Sequence, residues 1–157
     1  ERGHADVSAA AKIALPRVLG GRMDMALLPE VSLPGGTGEF TRGSVEPSFG
    51  FLWALSPADG WDLSGVAQVA AHGAGDGGRL RATAVSAALG RTWHDRGSVY
   101  VEAYRISEGA LSRWALDAGA SHLFGDDVAA DVSAGRSITP SGGWFVAAGA
   151  AFRHLRR

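Results

Sequence analysis

Seven carboxylates punctuate otherwise apolar stretches of this chain: Asp24, Glu30, Glu46, Asp62, Glu102, Asp117 and Asp131. With Tyr100, Tyr104 and Arg153 they are the residues a function could use, as a polar track that orients a solute or selects a cation. A structural role is the favoured one. Carboxylates enclosed away from bulk water need partners whatever passes them, and Lys12, Arg22, Arg113 and Arg153, with Ser and Tyr hydroxyls, are the candidates. His4, His72, His94, His122 and His154 never fall at zinc-ligand spacing, and there is no Cys to supply a thiolate. Ser121 and His122 are adjacent, but neighbours on a strand face opposite sides and cannot act as nucleophile and base. No catalytic residue, metal or cofactor is therefore expected, and the chain does not read as an enzyme.

One motif competes with that reading. Residues 73–78, Gly-Ala-Gly-Asp-Gly-Gly, fit GxGxxG after an apolar segment, and Glu102 at the end of Val99-Tyr100-Val101 imitates a ribose-binding acid. A nicotinamide-dinucleotide module is the alternative this implies. Against it, Thr83, Val85, Ala87 and Leu89 alternate as in a strand, where the motif needs a helix, and no further βα units follow.

The elements that would position these groups follow from composition and period. The chain has 157 residues with 23 Gly, 6 Pro, 46% apolar residues and a net charge of -1. One domain is the default, and the near-zero charge with a single lysine argues against a nucleic-acid surface. No uninterrupted apolar stretch of about 18 residues exists, so no transmembrane helix can be drawn. Spanning strands need only about 9 to 11 residues and leave mean hydropathy unremarkable. The first residues, Glu1-Arg2-Gly3-His4, carry no charged and apolar leader, so an exported form is expected to have its signal upstream.

Period-2 alternation and turn residues mark nine strand-like segments: residues 6–15, 22–33, 44–55, 61–71, 79–93, 98–106, 113–124, 128–137 and 143–153. Most are longer than the usual soluble strand of about 5 to 6 residues. Their connections read as alternately tight (16–21, 57–60, 94–97, 125–127) and loose (34–43, 72–78, 107–112, 138–142), the arrangement of an outer-membrane barrel with short periplasmic turns. On that orientation Trp53, Trp61, Trp93, Phe124 and Phe152 lie near one membrane interface, and Trp114 and Trp144 near the other.

Parity divides the segments into an apolar and a polar side. Phe49, Phe51 and Trp53 oppose Glu46, Ser48 and Gly50; Trp144, Val146 and Ala148 oppose Phe145, Ala147 and Gly149. The segment 79–93 fits worst, because Arg79, Arg81 and Arg91 share parity with Val85 and Leu89, although all three sit near its ends and can snorkel. The expectation is an all-β, antiparallel, up-and-down transmembrane β-barrel. An odd number of visible strands predicts an N-terminally truncated part of a larger, even-stranded barrel. A soluble, lipocalin-like binding barrel uses the same alternation with the apolar parity turned inward.

The stretches Leu33-Pro34-Gly35-Gly36, FLWALSPADGWD (51–62), Val99-Tyr100-Val101-Glu102-Ala103-Tyr104, DAGASHLFGDDVAADVS (117–133) and GGWFVAAGAAFR (142–153) carry a resemblance. They are similar to the bacterial outer-membrane transporter family named after the MetA pathway of phenol degradation. The resemblance implies a β-barrel for passive uptake of small hydrophobic or aromatic compounds, in contact with outer-membrane lipid and with the insertion machinery. It also implies acidic strand positions at Glu102, Asp117 and Asp131. The tail His154-Leu155-Arg156-Arg157 departs from the family, whose last strand tends to end on its terminal aromatic and arginine.

Overall fold

The computed structural model describes residues 3–74, 77–139 and 142–153. Segments alternating apolar with small or polar residues build one antiparallel sheet of ten strands: β1 (Val7–Ala10), β2 (Ile13–Ala14), β3 (Met23–Leu33), β4 (Glu46–Ala58), β5 (Trp61–Gly73), β6 (Arg79–Trp93), β7 (Gly97–Glu108), β8 (Leu111–Phe124), β9 (Val128–Ser137) and β10 (Trp144–Phe152). From β3 onward each strand pairs with the next in the chain.

β1 and β2 are one edge strand in two pieces, the segment read from sequence as residues 6–15. Both keep a single register on β3, with Ala10 opposite Glu30 and Ile13 opposite Leu27. The break falls at Pro29. Ala11 N–H donates to Pro29 O at 3.1 Å, but proline has no N–H to return. Leu15 N–H then rejoins the ladder at Met25 O, 2.9 Å.

Three connections are tight as expected. Asp59-Gly60, residues 94–96 and residues 125–127 close hairpins at one end, with Gly60, His94, Asp95 and Gly125 at positive φ. Two others correct the sequence reading. Residues 107–112, expected as a loose loop, complete β7 and β8 around a two-residue turn, Gly109-Ala110, which Gly109 permits at φ 56°. The stretch 16–21, expected as tight, lies in an eight-residue connection with a 3-10 turn at Leu19–Gly21. Strict alternation of short and long connections therefore fails, although the longest one, residues 34–45, does lie opposite the tight turns.

The dinucleotide alternative fails here too. The stretch after Gly78 is β6, hydrogen-bonded antiparallel to β5 from Gly73–Arg79 to Trp61–Arg91, whereas a βαβ unit needs a helix and parallel strands. Gly75 and Asp76 of the motif lie outside the described residues.

The register slides progressively across the sheet. One row of direct partners runs Trp61, Arg91, Val99, Ala120, Val132, Ala148. It starts at the first residue of β5 and ends at the fifth of the nine residues of β10. This stagger is the shear a barrel wall requires. The sheet itself is open, with β1/β2 and β10 as its edges.

No conventional core forms. The buried apolar residues are Ala26, Ala82 and Ala115, and no large side chain is fully buried among the described residues. The accessible surface is 11030 Å². A folded monomer of 16.2 kDa exposes about 7,500 Å² by size scaling, so the sheet is a single layer with no second layer of strands or helices against it among the described residues.

Candidate functional site

Direct partners in an antiparallel ladder project to the same side, so register assigns every strand residue to a face. Even-numbered residues of β1–β7 share one face with odd-numbered residues of β8–β10. The parity changes at the Gly109-Ala110 turn, across which Tyr100 meets Gly119 and Glu102 meets Asp117. Asp24, Glu30, Glu46, Asp62, Glu102, Glu108, Asp117 and Asp131 all stand on this polar face, as do Tyr100 and Tyr104. Seven of these carboxylates were singled out from sequence; Glu108 was not.

The other face is apolar. It holds Trp53, Trp61, Trp93, Trp114, Phe124, Trp144 and Phe152, the seven aromatics predicted to form two bands. Trp61, Trp93, Phe124 and Phe152 are terminal strand residues at the tight-turn end, and Trp144 opens β10 at the loop end. Trp53 lies further in, its indole lying over Gly65. Arg79, Arg81 and Arg91 occupy this face near strand ends, as their parity required.

The two faces differ in shelter. Ala26, Gly50, Ala82, Gly90, Ala115 and Gly135 are buried and all belong to the polar face; Gly97, beneath Trp93, is the buried residue of the apolar one. Large apolar side chains of the other face stay open to solvent, with Val101 at 56% and Leu116 at 51%. Side chains shelter one another on the polar side, as on the inside of a curved wall.

The centre of the polar face is built on cross-strand glycines. Asp62 lies against Gly90, Tyr100 against Gly119, Phe145 against Gly135 and Asp131 against Gly149, each the direct register partner. Without a Cβ, each glycine lets its neighbour lie along the wall. Glu102 and Asp117 face each other across β7 and β8, and Asp117 Oδ1 is sheltered without a hydrogen-bond partner. A groove of about 610 Å³ runs from Lys12, Arg17 and Asp24 over Leu52 and Val66 to Glu102. Its floor is apolar and its rims are charged, which suits a small solute with a greasy body.

Ion pairing differs from the sequence expectation. Asp24 pairs with Arg17 (2.6 Å), a loop residue, and not with Lys12 or Arg22. Arg153 is drawn to the β8–β9 turn, donating to Asp126 O (2.8 Å) beside Asp127 (3.6 Å), so it clamps a hairpin and does not join the acidic track.

At the loop end a cluster absent from the sequence reading ties the sheet together. Arg42 Nη1 reaches Glu108 Oε1 at 2.6 Å, His72 Nδ1 meets the same oxygen at 2.8 Å, and Gly73 N–H donates to Glu46 Oε1 at 2.9 Å. Loop 34–45 is thereby held over the polar face from β4 to β7. Its other side is fixed by Asp6, whose carboxylate accepts from the amides of Gly35, Gly36 and Arg42. The Thr41 hydroxyl foremost, then the Gly36 amide, hold the Asp6 carboxyl well below the usual carboxylate range. From sequence, residues 34–43 read as a loose loop; contacts 29 to 66 residues apart leave no local signal.

Of the histidines, His122 stacks edge-on against Phe124 (4.6 Å) and His4 Nε2 lies 2.6 Å from Gly35 O. His154 lies outside the described residues. Ser121 and His122 project to opposite faces, and Ser121 Oγ bonds Ser98 Oγ at 2.7 Å.

Over residues 1–154 the sequence matches the model of the family described as "Putative MetA-pathway of phenol degradation". The chain belongs to this family. No curated protein and no solved structure matches it. Membership and the all-β antiparallel sheet fit a β-rich protein of outer-membrane type and are compatible with an outer-membrane location.

Proposed function

We propose that this chain forms wall strands of an outer-membrane β-barrel whose complete form passes small hydrophobic or aromatic compounds passively, without covalent chemistry. One observation carries the reading. Most of the exposed large apolar strand side chains stand on one face, and among the described residues none of them is buried, so that face needs a medium other than water. Hydrocarbon supplies it, and strands of 9 to 15 residues from β3 onward match what a bilayer crossing requires. A lipocalin-like barrel would enclose these same side chains around its ligand. Two open edges in lipid cost several kcal/mol for each unpaired backbone group, so closure with further strands belongs to the proposal. The terminal aromatics then act as interface bands, and the polar face with its groove lines the path.

Two measurements test it. The whole protein inserted in planar bilayers is expected to give discrete conductance steps. Cells lacking the protein are expected to take up a labelled aromatic tracer more slowly than complemented cells. Absence of both differences would leave the barrel as a structural component and overturn the transport reading.

A further inference from the structure

We propose that the apolar face carries a binding site for a phosphorylated glycolipid, held at the loop end by the cross-strand pairs Arg105–Trp114 and Arg136–Trp144. The proposal rests on the reading that this face meets lipid.

In both pairs the two residues are direct register partners, with the guanidinium carbon 5.9 Å and 5.3 Å from the indole centroid. A ring against one face of a guanidinium screens it from hydrocarbon and leaves its N–H edge available. Arg105 Nε donates to Ser112 Oγ at 2.9 Å, which fixes the group while its terminal nitrogens remain for another acceptor. No strand carboxylate shares this face among the described residues, since all of them stand on the opposite one. The acceptor must come from outside, and phosphate oxygens match the guanidinium fork.

A groove of about 620 Å³ supplies the other half of the site. Leu89, Val101, Ala103 and Leu116 line it, it touches the strand positions of Glu102 and Asp117, whose side chains project to the opposite face, and it reaches Arg136 and Trp144 at its end on β9 and β10. An acyl chain in this groove brings its headgroup to the guanidinium. Arg105 on β7 and Arg136 on β9 flank β8, two strand spacings or on the order of 10 Å apart. A glycerophospholipid with one phosphate engages one of them; a disaccharide head with a phosphate on each sugar engages both.

The test uses the whole protein, folded in detergent, with lipid binding followed by native mass spectrometry. Three probes are compared: bisphosphorylated lipid A, its dephosphorylated form, and phosphatidylglycerol. Wild type is expected to bind lipid A at least about tenfold more tightly than either of the others. The Arg105→Gln/Arg136→Gln double variant is expected to lose that preference, while Arg91→Gln, beside Trp61 at the tight-turn end, keeps it. Equal affinity for lipid A and phosphatidylglycerol, or an unchanged preference in the double variant, overturns the proposal. Should the double variant fail to fold, wild-type discrimination between the two forms of lipid A decides alone. Bilayer conductance is read separately, so loss of lipid selectivity with channels intact sinks this site and not the transport reading.

Discussion

Tyr100 lies along Gly119, its direct partner across the β7–β8 ladder, with the ring occupying the space a Cβ would need. The relationship keeps a large side chain flat on the polar face, which lines the path in the proposed function. Gly119→Ala is expected to push the phenol off the wall and into the path. Overpacking of this kind costs about 1–3 kcal/mol. Lower single-channel conductance with a reduced urea midpoint is the expected outcome; unchanged conductance in a folded variant would show that Tyr100 does not border the path.

Ala147 and Ala148 sit side by side in the middle of β10, one opposite Ser133 and the other opposite Val132. They belong to different faces. Ala148→Arg places a charge on the apolar side at a cost of about 2–4 kcal/mol at mid-bilayer, whereas Ala147→Arg meets the polar side. Membrane-inserted yield should drop strongly for the first and little for the second. Equal yields would contradict the facing.

Asp6 gives a pH-dependent loop. Its carboxyl ionises below the ordinary value because the Thr41 hydroxyl and the loop amides favour the charged form. A depressed folded pKa contributes stability in full above about pH 4, lost as the pH falls further toward the folded value. Hydrogen exchange at Gly35, Gly36 and Arg42, corrected for intrinsic rates, should therefore lose protection below about pH 4. Asp6→Asn should show the unprotected rates already at neutral pH. Protection that is identical in both proteins would mean the loop is held by Arg42 and Glu108 alone.

Alternation was enough to separate Phe49, Phe51 and Trp53 from Glu46, Ser48 and Gly50, because a strand admits two side-chain directions and no others. For the same reason alternation alone assigns the acidic positions, the aromatics and the arginines of β6 to their faces. Turn chemistry was less legible. Around Gly109 the chain is rich in small and polar residues, which suits a loop as well as a two-residue turn, and only strand pairing extended β7 and β8 to meet there.

Local sequence determined the strands, their two faces and the lack of an α-helix among the described residues because these depend on neighbours two positions apart. Register had to come from the assembled sheet, since sliding one strand leaves its own pattern untouched while changing every partner. That is why Glu102 opposite Asp117, Tyr100 upon Gly119 and the Arg–Trp pairs belong to the tertiary structure. The reach of Arg42 to Glu108 and of Asp6 to Gly36 belongs there as well, because only chain reversal brings such distant residues into contact.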